Sequence, residues 1–253
     1  MPTQDKLALV TGGGRGIGAA IARKLAREGH RVIVTARNVD QLESIATEIN
    51  GVALPLDLTD RGATDEAIRT LLHTEKRIDI LVNNAGISDA APIHRTEDGS
   101  WDRIMEINVT APMRLCRQLV PTMMKAGWGR VINLASNAGL SGYAYTHAYC
   151  ASKHALVGLT RSMAHEIGRS GVTVNAVCPG WVETEMFQEA VNRIVQNTGR
   201  SPEDARATLE RMSPQRRIVR PEEVAHVVAM LCAAEAQGIH GQAIPVDGGQ
   251  IMK

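Results

Sequence analysis

What most constrains the fold of this chain is a regular alternation, kept up along its whole length, of short apolar β-branched runs with helical patterns. Strands are expected at 7–11, 31–36, 53–57, 80–83, 131–135, 172–178 and 243–246, with helical periodicity between them at 16–27, 40–49, 65–74, 101–125 and 149–168. Strands joined by crossover helices run parallel, and a parallel sheet has to be covered on both faces. Right-handed crossovers then give an α/β fold, a doubly wound parallel sheet whose ligand crevice lies at the carboxyl ends of its strands. The rhythm breaks once, at 183–217. This insertion holds two helical pieces, the second opening at Ser201-Pro202-Glu203-Asp204 with a capping serine and a proline at the first helical position. Another helix opens at Pro221. With no linker and no repeat, residues 1–253 read as one domain with a short helical lid.

Composition narrows the classes of function. A net charge of +1 argues against a nucleic-acid surface, and no window of eighteen apolar residues offers a membrane span. No signal-like apolar region precedes Lys6. Cys116, Cys150, Cys178 and Cys232 are scattered without a CxxC pair, and the eight histidines show no zinc spacing. Reduced cysteines, a cytoplasmic setting and no metal are therefore expected.

Thr11-Gly12-Gly13-Gly14-Arg15-Gly16-Ile17-Gly18 follows the first strand and opens the first helix. Glycines there let the backbone turn sharply and approach a pyrophosphate, which rests on the helix N-terminus. The strand–turn–helix context is more specific than the pattern, because five glycines in seven residues satisfy several patterns. At the end of the second strand, where an acidic residue would bind a ribose 2′-hydroxyl, stand Ala36 and Arg37. Arg37 with Arg15 could hold a 2′-phosphate between two guanidinium groups, which favours NADP(H), with NAD(H) as the alternative if either arginine is only a solvated charge.

Tyr149 and Lys153 are four residues apart, on one face of a helix. A free tyrosine titrates near pH ~10, and bringing it to neutrality asks for roughly 4 kcal/mol of differential interaction. A neighbouring ammonium acts in that direction. The same spacing occurs on many solvated helices, so the pair gains meaning only beside other residues.

Those residues are present in order, and with them the chain resembles the short-chain dehydrogenase/reductase family over essentially its whole length. Gly12, Gly16 and Gly18 match its TGxxxGxG loop, Asp57-Leu58 its adenine-contacting dipeptide, and Asn83-Asn84-Ala85-Gly86 its NNAG segment. Asn108, Ser136, Tyr149 and Lys153 fall at its catalytic tetrad. Pro179-Gly180, with Val182 and Thr184, match the segment holding the nicotinamide carboxamide. The resemblance implies that Tyr149 is the general acid or base and that Ser136 binds the substrate oxygen. It also implies that Lys153 binds the ribose and lowers the tyrosine pKa, and that Asn108 holds a relay water. It assigns the cofactor to Gly12, Arg15, Gly16, Ile17, Gly18, Arg37, Asp57, Leu58, Asn84, Ala85, Gly86, Pro179, Gly180, Val182 and Thr184, together with Tyr149 and Lys153.

Segments 174–180 and 241–249 look most like 3-oxoacyl thioester reductases and related ketoreductases. The expected activity is reduction of a carbonyl by NADPH, or the reverse oxidation of an alcohol or hydroxyacyl compound. The basic pair that docks an acyl carrier protein in that group aligns with Gly127 and Ser170, although Lys125, Arg130 and Arg169 lie close. A carrier-protein thioester, a CoA thioester and a small ketone therefore all stay open. Segments 88–94 and 138–147 and the lid should frame the substrate, where Met186 and Phe187 either close over it or pack in the lid's own core. The family's long helices pair across subunits, so a homotetramer is expected. The apolar stripe Met105, Val109, Met113, Cys116 and Val120 suits an internal core and a subunit seam equally.

Overall fold

The structure, a computed structural model, describes residues 6–252; the reading of the segment before Lys6 lies outside them. Seven strands, β1 (Leu7–Thr11), β2 (Arg31–Ala36), β3 (Val52–Pro55), β4 (Ile80–Asn83), β5 (Gly129–Leu134), β6 (Val172–Pro179) and β7 (Ala243–Val246), stand side by side. Their order is β3-β2-β1-β4-β5-β6-β7, and every pairing is parallel. The central strands are apolar on both faces, as a doubly covered sheet requires. In β1, Ala8 and Val10 turn to one face and pack with α1 (Gly16–Arg27), α2 (Val39–Glu48) and α9 (Pro221–Cys232). Leu7 and Leu9 turn to the other and pack with α3 (Arg61–Glu75), α5 (Ala111–Ala126) and α6 (His147–Ile167).

Most boundaries shift by a few residues, and two of the differences have a clear physical cause. Strand β3 ends at Pro55, short of residue 57, because Asp57 turns its carboxylate onto Thr59, accepting from its N (2.9 Å) and Oγ1 (2.8 Å). The helix expected over 101–125 is α4 (Asp98–Met105), a π-helical turn over Glu106–Thr110, and then α5. A π turn carries one extra residue, which a 3.6-residue periodicity runs straight through. It brings Asn108 inward, fully buried.

The insertion forms α7 (Glu185–Thr198) and α8 (Pro202–Glu210), with the Ser201 side chain capping α8 as its sequence promised. It carries a core of its own, built from Phe187, Val191, Ala205, Leu209 and Ile218. Phe187 is buried edge-on to Trp181 (centroids 6.1 Å apart), with the Arg206 guanidinium 5.2 Å over its ring. Arg206 also grips both oxygens of Glu183 (2.9 and 2.5 Å) and reaches Glu210 at 2.8 Å. Phe187 thus belongs to the lid's core, while Met186 stays exposed. The lid leaves and rejoins the framework at adjacent points, where Val182 bridges Val219.

Candidate active site

The sheet order reverses at β1, so the loops after β1 and β4 diverge there and open a crevice. Thr11, which opens the glycine-loop motif without a role of its own in the sequence reading, joins these loops. Its hydroxyl accepts from Asn84 N and Ala85 N (3.0 Å each) and donates to Val82 O (3.3 Å). Asn84 returns its side-chain amide to Thr11 O (2.8 Å) and Gly12 O (3.2 Å). The available signal was a lone threonine closing an otherwise apolar strand.

The glycine loop fits the pyrophosphate of a dinucleotide. A Cβ on Gly18 would lie 2.1 Å from Gly12 O, so only glycine lets the loop fold onto the helix. Gly16 has φ +52°, in the left-handed region. Helix α1 starts without a side-chain cap or an acidic residue in its first turn, which leaves backbone donors and the positive end of the helix dipole facing the crevice. Ile17 packs on the core and anchors the loop from behind.

The two arginines meet different fates. Arg37 is exposed at the end of β2, near enough to Asp57 that its charge helps hold that carboxyl below the usual range, after the hydrogen bonds from Thr59. Arg15 instead forms an ion pair with Glu185 at the first position of α7. The expected pair of guanidinium groups is therefore not assembled in the chain alone. Leu58 packs beneath, against the second core.

Three of the tetrad residues meet where β5 ends and α6 begins. Ser136 opens the 3₁₀ turn Asn137–Gly139, its Oγ accepting from Ala138 N at 3.1 Å. Tyr149 lies in the first turn of α6, half-buried, its phenol near enough to Ser136 to be affected by it. Lys153, one turn on and buried, donates its ammonium to Leu134 O at 2.7 Å, with Nζ 5.6 Å from the Tyr149 ring centre. Asn108 closes the group. Its carboxamide accepts from Ile87 N (2.9 Å) and donates to Ile87 O (2.9 Å) and Ser152 Oγ (3.0 Å). A Cβ on Gly86 would lie 3.3 Å from Asn108 Oδ1 and 3.5 Å from Lys153 Nζ, so Asn84-Ala85-Gly86 ends against both. Behind them runs a buried polar ladder absent from the sequence reading: Asn83 Nδ2 to Asn133 Oδ1 and Asn133 Nδ2 to Thr160 Oγ1, 2.8 Å each. It locks β4, β5 and α6 in register.

Burial dominates the titrations. It pushes the Tyr149 phenol above its ordinary value, the Ser136 hydroxyl opposing it. It also brings Lys153 down to about 8. The depressed tyrosine expected from the i, i+4 spacing is thus not found in the chain alone. The ammonium is turned onto a carbonyl, and the dry surroundings disfavour phenolate more than the lysine favours it.

The remaining predicted residues gather at the same mouth. Pro179 and Gly180 end β6, with Gly180 N bonded to Val246 O (3.1 Å). Val182 is buried in the core. Thr184 caps α7, and its Cγ2 would touch a Cβ on Gly16 at 3.2 Å, so the lid starts against the glycine loop. Segments 88–94 and 138–147 are joined by Ala91 N to Tyr145 O (2.8 Å). Of the three cations near the aligned docking positions, Lys125 and Arg169 are exposed but Arg130 is wholly buried, stacked on Trp128 and donating to Gly129 O and Ala233 O.

The family model described as enoyl-(acyl carrier protein) reductase matches residues 12–250. The chain belongs to the short-chain dehydrogenase/reductase family, oxidoreductases that act on CH–OH and C=O groups with a nicotinamide cofactor. Among its relatives, an uncharacterized oxidoreductase of Bacillus subtilis is 36% identical over 97% of this chain and 98% of its own. The 3-oxoacyl-[acyl-carrier-protein] reductases of Vibrio cholerae (38% identical) and Escherichia coli (36%) align over the full length of both chains. A variant of the actinorhodin polyketide ketoreductase, crystallised with NADPH, superimposes with a TM-score of 0.93 at 35% identity, covering 99% of each chain.

Proposed function

We propose that this chain is an NADPH-dependent carbonyl reductase that converts a 3-oxoacyl thioester, or a similar ketone, to the hydroxy compound. The observation that carries the reading is the meeting of buried Ser136 and Lys153 with half-buried Tyr149 in one corner beside the glycine loop. The names of the aligned relatives support the acyl substrate. When bound, the reduced dinucleotide supplies the hydride.

The chain's own groups handle the proton. Tyr149 holds its phenolic proton at neutral pH, because burial raises its pKa, and delivers it to the carbonyl oxygen as a general acid. Ser136 hydrogen-bonds that oxygen. Lys153 binds the ribose hydroxyls and favours the phenolate left behind. Asn108 fixes the backbone at Ile87 and, through Ser152, the first turn of α6, beside the route by which water returns the proton. Gly12, Gly16, Ile17 and Gly18 cradle the pyrophosphate and Arg37 takes the 2′-phosphate, with Arg15 once it leaves Glu185. Asp57 and Leu58 meet the adenine, Asn84, Ala85 and Gly86 line the ribose side, and Pro179, Gly180, Val182 and Thr184 hold the carboxamide. Met105, Val109 and Met113 stay half-buried while Cys116 and Val120 enter the core, which supports a homotetramer seam at the first three.

One observation favours a rival, an NAD(P)-dependent alcohol or hydroxyacyl dehydrogenase working oxidatively. Arg15 is held by Glu185, which leaves Arg37 as the free member of the expected arginine pair among the described residues. The test is consumption of NADPH and of NADH, followed by absorbance, against 3-oxoacyl thioesters and small ketones. Fast turnover with NADPH is expected, and a clear preference for NADH moves the protein to the rival. Tyr149→Phe should cut turnover at least about 100-fold while sparing cofactor affinity; retention of most activity refutes the acid role.

A further inference from the structure

The C-terminal turn reaches the segment expected to frame the substrate. Asp247, buried, accepts from Gly249 N (3.1 Å) and Ile251 N (2.9 Å) and so fixes the turn that projects Gln250. The turn is wedged against the end of β6, where a Cβ on Gly180 would lie 2.8 Å from Asp247 Cβ. From there Gln250 uses both ends of its carboxamide. Its Oε1 accepts from Asn137 Nδ2 at 3.0 Å, and its Nε2 donates to the Tyr143 phenol oxygen at 2.9 Å. Asn137 is also linked to the neighbouring Ser136, whose Oγ lies 3.4 Å from Asn137 Oδ1. A continuous polar chain therefore runs from Ser136 through Asn137 and Gln250 to Tyr143.

The direction of the last bond matters. The Gln250 amide donates to the Tyr143 oxygen, while the Asn137 amide is spent on Gln250 Oε1. An oxygen that accepts from an N–H group turns its own hydrogen away from that donor. Tyr143 belongs to segment 138–147, which is expected to frame the substrate and begins two residues after Ser136, and no hydrogen bond from its O–H is found among the described residues.

We propose that Gln250 is a positioning residue that sets Tyr143 as a second hydrogen-bond donor to the substrate, selecting ketones that carry another acceptor oxygen beyond the reacting carbonyl. The thioester carbonyl of a 3-oxoacyl compound is such an acceptor. The inference rests on the carbonyl-reductase reading and narrows its substrate class.

The experiment compares acetoacetyl-N-acetylcysteamine with a monoketone of similar size and no second acceptor, using NADPH and the full chain, with melting temperature as the check on folding. Losing one neutral hydrogen bond to the substrate corresponds to roughly a tenfold change. Tyr143→Phe should raise KM for the thioester by about that factor and leave the monoketone within about twofold, with kcat little changed. Gln250→Ala should act in the same direction but less, and the double variant should be no worse than Tyr143→Phe. An equal loss on both substrates, or an additive double variant, overturns the proposal. Wild-type turnover of the monoketone without preference for the thioester sinks this inference alone. Silence toward both substrates sinks the carbonyl-reductase reading with it.

Discussion

Replacing Glu185 by glutamine should alter cofactor choice while barely touching stability. The carboxylate holds Arg15 across the mouth of the dinucleotide crevice, and the two side chains are 56% and 58% exposed. An exposed pair of this kind contributes about 0–1 kcal/mol to folding, so the variant should melt within a few degrees of the parent. Binding responds differently. If Arg15 has to leave Glu185 to meet a 2′-phosphate, the affinity for NADPH is reduced by the value of that pair. Removing the carboxylate returns about 0.5–1 kcal/mol, which lowers KM for NADPH roughly two- to fivefold. Repulsion between the carboxylate and the phosphate adds in the same direction. NADH lacks the phosphate, so its KM should stay put. The assay is initial rate against each cofactor at a fixed ketone concentration, repeated at raised salt, where screening should shrink the difference. A KM that falls equally for both cofactors, or moves for neither, refutes the idea that Arg15 reaches the phosphate.

Removing the Asn108 side chain leaves Ile87 N and O unpaired in a buried place, so Asn108→Ala should cost about 2–4 kcal/mol in chemical denaturation; a loss below about 1 kcal/mol would mean that water replaces the amide. Stability should peak at pH ~8.5, where the opposing proton differences cancel. Lys153 titrates at about 8 when folded against 10.5 when unfolded, so the unfolded chain binds the extra proton and stability rises with pH from 8 upward. Burial raises Cys116 and Cys232 to about 12 and Cys178 to about 11, so above their unfolded value of 9.0 the folded chain keeps three protons that the unfolded chain loses, and stability falls. Denaturation midpoints across this range test both limbs, and Lys153→Met should abolish the rising one. A monotonic fall from pH 8 would contradict the burial argument.

Most strands were legible because both faces of the sheet are covered, which writes an apolar run into the chain wherever a strand passes, as at Leu7–Thr11. The cap at Ser201 was legible because capping is a local hydrogen bond. What escaped was set at long range. Arg15 looked free for a phosphate because its partner stands 170 residues further on. Asn133 and Thr160 looked unremarkable because each satisfies the other only once β5 and α6 are packed. The upward shift at Tyr149 could not be read from its spacing to Lys153, since the cost of losing water depends on everything around the ring.

The lid has a consequence for how such enzymes diversify. Its two feet stand together, with Glu183 N bonded to Val219 O and Val219 N to Trp181 O at 2.9 Å each, and Phe187 and its neighbours give it a private interior. A cassette whose ends meet at one bridge and which has an interior of its own can be lengthened or shortened beyond its first turn without disturbing a strand pairing. Thr184 and Glu185 meanwhile stay against the glycine loop. The framework can then keep its chemistry fixed while the cassette drifts to new substrates, the two parts evolving at different speeds within one chain.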